Sequence, residues 1–220
     1  MAIANIMSKQ GITLNRYLWQ QYKESKIELD LLIVLEQMAY VGKIIAGEIS
    51  RAARVGKLGL AEEKNATRDS QKKLDIYSNE VIIDAFSHLG LVTAIASEQL
   101  DEVELIDCDY DTPYILVTDP LDACSNADIP EALGTIFGIY RRQSTGLCLT
   151  KTDALRAGIE LLTAGYILYG TSTILVITCG DTVQGFTLDP HVGEFLLSHP
   201  DIPTPDNEKF YSANLSYYPQ

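Results

Sequence analysis

The chain has 220 residues, of which 46% are hydrophobic, and it is therefore long enough to form one large domain with a buried core. Its 17 Lys and Arg residues against 30 Asp and Glu residues give a net charge of −13, so we expect neither nucleic acid nor anionic membranes as partners. No stretch is apolar over the roughly 18 residues that a membrane span requires, and residues 1–11 do not resemble a signal peptide, which predicts a cytoplasmic protein.

Helical periodicity characterises the first third of the sequence. It predicts a first helix around residues 14–22 and a long second helix over residues 28–54. Residues 55–69 contain two glycines and have no periodicity, which predicts a loop. A third helix is predicted over residues 70–88, because Ser70 can cap its N-terminus.

Short apolar runs rich in β-forming residues replace this pattern after residue 90. We predict strands at residues 91–97, 114–118, 133–140, 165–170, 173–178, 183–188 and 194–197. Residues 179–182 connect two of these runs as a hairpin turn. Helices followed by strands that are joined by tight turns predict a layered α+β fold.

The four cysteines, Cys108, Cys124, Cys148 and Cys179, do not form a C-x-x-C pair, and no histidine stands near them at the spacing of a zinc site. This pattern favours reduced and mostly buried thiols over a disulfide framework.

The segment Asp119–Asn126, of sequence DPLDACSN, directly follows an apolar predicted strand. Its two carboxylates stand three residues apart, and Pro120 restricts the backbone between them, so both can turn toward one point. Hard oxygen ligands suit Mg²⁺ or Mn²⁺, and the small residues that follow can present free N–H groups to a phosphate. The same eight residues are equally compatible with a strand that ends in an Asp-capped turn.

Three further carboxylates reach this segment only if the fold brings them there. Glu98 ends the preceding predicted strand, and it approaches Asp119 if the two strands are neighbours. Asp69 closes the predicted loop, and Asp75 lies in the first turns of the third helix. For each of them, a solvated carboxylate or a helix cap is the more common role.

Six short motifs recur in a fixed order along the chain. They are KKLD (72–75), SE (97–98), DPLD (119–122), GTIFGIYR (134–141), AGYILYG (164–170) and LDPHVGEF (188–195). In this order and spacing they resemble the class 1 fructose-1,6-bisphosphatases, from about Leu14 to the end of the chain. Inositol monophosphatases share the DPxD core, but the fourth and sixth motifs narrow the match to the bisphosphatases.

The resemblance implies a fold, a domain division and an assembly. The fold is the layered N-terminal domain of the sugar phosphatases, with long helices packed on a mainly antiparallel mixed sheet. The domain would cover residues 1–200, and residues 201–220 would be a linker that begins a C-terminal α/β domain absent from this chain. Family members are oligomers, which implies a homo-oligomer, either a dimer or a tetramer.

The resemblance also implies a reaction, the Mg²⁺-dependent hydrolysis of the 1-phosphate of fructose 1,6-bisphosphate, with Mn²⁺ as a possible substitute. The implied metal ligands are Glu98, Asp119, Asp122 and the backbone carbonyl of Leu121. The implied catalytic residues are Asp69, Asp75 and Glu98. The implied substrate-binding residues are Ala123, Cys124 and Ser125 for the 1-phosphate, and Asn214 and Tyr217 for the 6-phosphate.

Three positions directly after the second and third motifs depart from the family pattern. Gln99 stands where the family has a second glutamate, and an amide cannot accept a proton from water. Ala123 and Cys124 stand where the family has a glycine and a serine beside the phosphate. These departures predict a phosphatase of impaired activity. The alternative is a catalytically degenerate relative with a binding, regulatory or structural role.

Overall fold

The structure, a computed structural model, describes residues 11–54, 64–106, 112–122, 133–143, 151–179 and 182–203. Its helices are α1 (Leu14–Lys23), α2 (Leu29–Arg54), α3 (Lys64–Ser87), the short α4 (Lys151–Ala154) and a 3₁₀ turn at Gly158–Glu160. Its strands are β1 (Val92–Ser97), β2 (Glu104–Leu105), β3 (Tyr114–Asp122), β4 (Leu133–Arg141), β5 (Leu161–Tyr169), β6 (Thr173–Cys179), β7 (Thr182–Asp189) and β8 (Glu194–His199).

One eight-stranded sheet organises the described part of the chain, with the strand order β2-β1-β3-β4-β5-β6-β7-β8. Strands β1 and β3 are parallel, and every other neighbouring pair is antiparallel. The predicted mixed and mainly antiparallel sheet is therefore confirmed. The parallel pair matters most for the site, because it brings the carboxyl ends of β1 and β3 to the same edge.

The long helices cover one face of this sheet. α3 packs against β1 and β3, α2 against β5, and α1 against β8. Gly42 lets α2 come close to β5, because a Cβ at this position would meet the side chain of Ile167. The hydroxyl of Tyr17 on α1 donates a 2.8 Å hydrogen bond to Gln184 on β7. These contacts form the main core.

The residues that the structure describes cover less of the opposite face of the sheet. Strand alternation points Ile136, Tyr166 and Leu168 away from the helices, and all three are exposed, Ile136 by 49%. A smaller cluster on β3, β4 and α4, formed by Ile115, Tyr140 and Ala154, is buried.

The predicted elements agree with the structure at most positions. The first two helices and all seven predicted strands are confirmed to within a few residues, and Cys179 pairs with Thr182 as a hairpin requires, although the two residues between them lie outside the described ranges. The two-residue β2, the short α4 and the 3₁₀ turn were not predicted from the sequence.

The predicted loop over residues 55–69 is wrong for its second part, because α3 begins at Lys64. Residues 64–69 contain no glycine or proline, and Lys, Ala and Arg among them favour helix. Both glycines of the predicted loop lie before residue 64, and residues 55–63 are outside the described ranges.

Across the ranges that the structure describes, no helix is both long and apolar enough to cross a membrane.

Candidate active site

The site is built at the shared end of β1 and β3. Ser97, the last residue of β1, lies opposite Thr118 on β3. The next backbone N–H, that of Glu98, donates a 3.0 Å hydrogen bond to the carbonyl of Thr118. The two strands are neighbours, which is the condition under which Glu98 was expected to approach Asp119.

A break in the ladder between β3 and β4 shapes the Asp119–Asp122 turn. Asp119 lies opposite Ile136 and Asp122 opposite Gly134, so the longer span on β3 makes an irregularity in the pairing. Pro120 has no N–H to donate to the ladder. The N–H of Leu121 instead donates to the Asp119 side chain at 3.2 Å. This local bond holds the Asp119 carboxylate against its own turn.

A buried hydrogen-bond chain supports the same turn from the core side. The Thr135 hydroxyl lies 2.8 Å from the carbonyl oxygen of Pro120 and 2.8 Å from the hydroxyl of Tyr169. Thr135 is fully buried and Tyr169 nearly so. The chain crosses three neighbouring strands, β3, β4 and β5.

A second buried contact fixes the turn that carries Glu98. Asn79 on α3 accepts a 2.7 Å hydrogen bond from the hydroxyl of Ser97. The same hydroxyl accepts the N–H of Gln99 at 3.3 Å. Glu98 and Gln99 themselves are exposed, so the hydrogen bonds hold the backbone of this turn and leave its side chains in solvent.

Asp75 approaches the site from α3. Its carboxyl is half-buried, and one buried oxygen, Oδ1, has no hydrogen-bond partner within the described ranges. Burial raises the pKa of Asp75, and the negative charge of Glu98 raises it further. A buried carboxylate oxygen without a donor is costly, unless a cation or a water supplies the missing partner.

Asp119 is half-buried and has two negatively charged neighbours. Burial, followed by the charges of Glu98 and Asp122, raises the pKa of Asp119 to about 6. Asp119 therefore has negative neighbours that a divalent cation would neutralise, and these oxygen donors are of the kind that Mg²⁺ prefers.

The carboxylates nevertheless do not form a finished coordination sphere. In the ranges that the structure describes, no three Asp, Glu, His or Cys side chains converge closely enough to hold a metal ion. Charges act on one another over longer distances than those between a metal ion and its ligands. The carboxylates can therefore raise one another's pKa without lying close enough together to hold a metal ion. A cation would have to draw these side chains closer together. The donor set fits Mg²⁺ in its chemistry, and its assembly would accompany binding.

The other predicted site residues are placed as follows. Leu121 is buried and Asp122 is exposed at the end of β3. Asp69 lies within α3 and not in a loop, which corrects the prediction of its local structure. The remaining predicted residues, Ala123, Cys124, Ser125, Asn214 and Tyr217, lie outside the described ranges.

The supporting roles of Thr135 and Tyr169 were missed by sequence analysis, although both lie in quoted motifs. A signal was present in Pro120, because a proline inside a strand lacks the N–H for the ladder and predicts irregular pairing there, where its own carbonyl can take a side-chain partner. The partner of that carbonyl depends on which strand lies beside β3, and this is not visible in the sequence.

Comparison with known proteins agrees with this architecture. The family profile described as "Fructose-1-6-bisphosphatase, N-terminal domain" matches residues 12–200. The chain is 59% identical over 206 residues to a class 1 fructose-1,6-bisphosphatase of Acaryochloris marina, covering 94% of this chain and 62% of that protein. It is 39% identical over 204 residues to a cytosolic fructose-1,6-bisphosphatase of Oryza coarctata, covering 92% and 59%.

A solved structure shows the same fold. The crystal structure of Leishmania major fructose-1,6-bisphosphatase in holo form matches with a TM-score of 0.72 and 30% identity, over 94% of this chain and 60% of that one. The chain therefore belongs to the fructose-1,6-bisphosphatase family. It spans 62% or less of the length of these three relatives.

Proposed function

We propose that this chain acts in the Mg²⁺-dependent hydrolysis of the 1-phosphate of fructose 1,6-bisphosphate, as a phosphatase of impaired activity. The observation that carries the proposal is the position of Glu98 at the shared end of β1 and β3, where its charge repels the half-buried carboxyls of Asp75 and Asp119. The names of the relatives, all fructose-1,6-bisphosphatases, support the substrate.

Glu98, Asp119, Asp122 and the carbonyl of Leu121 would hold the cation. When bound, Mg²⁺ or Mn²⁺ supplies a Lewis acid that lowers the pKa of water and stabilises the negative charge that develops on the phosphate. Without the cation these carboxylates repel one another, so the site would order as it binds.

Asp75 and Glu98 would orient the attacking water and accept its proton. The raised pKa of Asp75 suits this role, because a general base works best when its pKa lies nearer to the working pH. Asp69 would assist from α3.

The substrate would be held on both sides of this centre. The backbone N–H groups of Ala123, Cys124 and Ser125 would bind the 1-phosphate. Asn214 and Tyr217 would contact the 6-phosphate. These roles are carried over from the family by position, although Ala123 and Cys124 depart from its residue types, and they are part of the proposal.

The second candidate function is that of a degenerate relative with a binding, regulatory or structural role. Two observations favour it. Gln99 is exposed beside Glu98 and offers an amide where the family has a carboxylate, and the described carboxylates do not converge to metal-ligand distances. Both candidates share the fold and differ in whether a cation assembles the site.

Phosphate release from fructose 1,6-bisphosphate, with and without Mg²⁺, separates the two candidates. We would compare the unmodified chain with Glu98→Gln, which loses a ligand, and with Gln99→Glu, which restores the family carboxylate. Turnover that requires Mg²⁺, is abolished by Glu98→Gln and rises in Gln99→Glu supports an impaired phosphatase. If neither the unmodified chain nor Gln99→Glu turns over more substrate than Glu98→Gln does, the result supports the degenerate relative.

We also propose a homo-oligomer that uses the exposed face of α2. Leu29, Ile33 and Tyr40 lie on one stripe of this helix at helical spacing, and all three are exposed, Tyr40 by 55%. Light scattering of the unmodified chain and of Tyr40→Asp tests this assembly. A mass of one protomer in both samples contradicts it.

The division into a domain over residues 1–200 and a linker over 201–220 remains a prediction, which limited proteolysis tests.

A further inference from the structure

We propose that Tyr169 and Thr135 form a hydrogen-bond relay that fixes the backbone of the Asp119–Asp122 turn, from which the carboxylates would reach a cation. The inference rests on the proposed function, and it adds two positioning residues that do not themselves contact cation or substrate. Three features carry it: the break in the ladder at Pro120, the direction of the hydrogen bonds, and the burial of both side chains.

The break in the ladder leaves this turn with less backbone support than an ordinary strand has. Pro120 cannot donate a hydrogen bond, and the pairing with β4 is irregular between Asp119 and Asp122. The carbonyl of Pro120 is nevertheless partnered, because the Thr135 hydroxyl lies 2.8 Å away. A side chain on β4 thus binds the turn directly where the backbone ladder is interrupted.

The direction of the relay follows from the inventory of protons. Thr135 has one hydroxyl proton, and a carbonyl can only accept, so Thr135 donates to Pro120. The 2.8 Å contact between Thr135 and Tyr169 then requires the phenol to donate to the Thr135 oxygen. Burial raises the pKa of Tyr169, which keeps this phenol protonated at neutral pH.

Sheet register explains why these two side chains meet. Leu133 lies opposite Tyr169, so Thr135, two residues further along β4, points to the same face as Tyr169 and is its diagonal neighbour. Thr135 is fully buried, and Tyr169 is only 4% exposed. Water cannot replace either partner without entering the core. Loss of either hydroxyl therefore leaves a buried polar group without a hydrogen-bond partner.

Four single variants and one double variant test the relay. Thr135→Val removes the hydroxyl at nearly constant shape, Thr135→Ser keeps it, and Tyr169→Phe removes only the first donor. The matched control is Thr163→Val, another buried threonine whose hydroxyl donates to a strand carbonyl, that of Thr178, away from the carboxylates.

The first readout is amide hydrogen exchange at Leu121 in the metal-free protein, because this N–H is held by the Asp119 turn. We expect faster exchange at Leu121 in Thr135→Val, recovery in Thr135→Ser, and no change in Thr163→Val. Unchanged exchange in both Thr135→Val and Tyr169→Phe overturns the relay. This readout requires neither cation nor substrate, so it decides the relay even if the proposed function fails.

The second readout is Mn²⁺ affinity, measured by the loss of the free-ion electron paramagnetic resonance signal. Outer residues that orient metal ligands typically contribute about 10- to 100-fold to affinity, and we expect a loss in that range for Thr135→Val. Tyr169→Phe should weaken binding less. It should cause no further loss in the Thr135→Val background, where the phenol already lacks its acceptor. Thr135→Ser should bind as the unmodified chain does.

The outcomes separate the relay from the proposed function. An unmodified chain that binds no Mn²⁺ contradicts the proposed function and leaves the exchange result to decide the relay. If Thr135→Val binds Mn²⁺ normally and its one change is faster unfolding, the hydroxyl has a merely structural role and the relay is overturned. If Thr135→Val fails to fold, Tyr169→Phe carries both measurements.

Discussion

The hydroxyl of Ser97 donates a 2.7 Å hydrogen bond to the side-chain oxygen of Asn79, which joins the end of β1 to α3. Both side chains are buried. Since the same hydroxyl accepts the N–H of Gln99, the contact encloses Glu98 between two fixed neighbours. The helix layer thus determines the position of a carboxylate that belongs to the sheet.

Replacement of Ser97 by alanine should destabilise the protein and weaken its response to Mg²⁺. The substitution leaves the Asn79 oxygen and the Gln99 N–H without this partner, and a buried unsatisfied group costs about 1–3 kcal/mol. Urea denaturation measures the loss. Ser87→Ala is the control, because the Ser87 hydroxyl binds an exposed helix-end carbonyl, and its loss should be within about 0.5 kcal/mol. Equal stability of Ser97→Ala and the unmodified chain would contradict this role.

Replacement of Asp119 by asparagine should stabilise the metal-free protein and abolish its thermal response to Mg²⁺. The change removes a negative charge that Glu98 and Asp122 repel, and relief of such a charge commonly yields about 0.5–2 kcal/mol. Differential scanning fluorimetry with and without Mg²⁺ measures both effects.

Asp189→Asn is the matched control for that experiment. The Asp189 carboxylate accepts the N–H groups of His191 and Val192, so its charge has favourable neighbours and its loss should bring no stabilisation. If both variants gain stability equally, the effect is a general response to lower net charge and not to the cluster.

Glu36→Gln should stabilise the protein at about pH 8, and the gain should shrink as the pH falls toward 5. Glu36 has a buried oxygen without a hydrogen-bond partner in the described ranges, and burial, followed by repulsion from Glu194, raises its pKa above the usual 4.5. The folded chain therefore retains this proton to higher pH than the unfolded chain, and its stability falls as the pH rises through that interval.

The glutamine variant has no such penalty. Because Glu36 is partly solvated, we expect a difference of only about 0.5–1 kcal/mol at the higher pH. Urea denaturation at both pH values measures it, and Glu48→Gln on the same helix is the control. A gain that is constant across the pH range would show that the charge of Glu36 is not responsible.

Gly165→Ala should destabilise the sheet, whereas Gly47→Ala should stabilise α2. A Cβ at Gly165 would lie 2.6 Å from both the Phe137 ring and the Val176 carbonyl oxygen. Overpacking of this kind typically costs about 1–3 kcal/mol. A Cβ at Gly47 meets nothing within 4 Å, and alanine in a helix interior gains roughly 0.5–1 kcal/mol over glycine. Thermal denaturation of the two variants should give shifts of opposite sign, and equal signs would contradict the packing around Gly165.

Part of this architecture was predictable because it depends on local patterns. Apolar spacing identified α1 and α2 and all seven longer strands, since the periods of 3.6 and 2 follow from backbone geometry alone. The start of α3 was predicted six residues late, because glycines at positions 56 and 59 lowered the helical signal of their whole neighbourhood. The DPxD segment was visible as a candidate site because proline and paired carboxylates form a local pattern.

The arrangement of the site residues depends on the tertiary structure. By itself, the sequence determined the helices, the strands and the carboxylate-bearing turn, since each depends on residues close together in the chain. Only the tertiary structure decided that β1 and β3 are parallel neighbours, which brings Glu98 to Asp119, and that β4 and β5 place Thr135 and Tyr169 beneath Pro120. Strand order depends on the burial of whole faces against the helices, and no short stretch of sequence encodes that global choice.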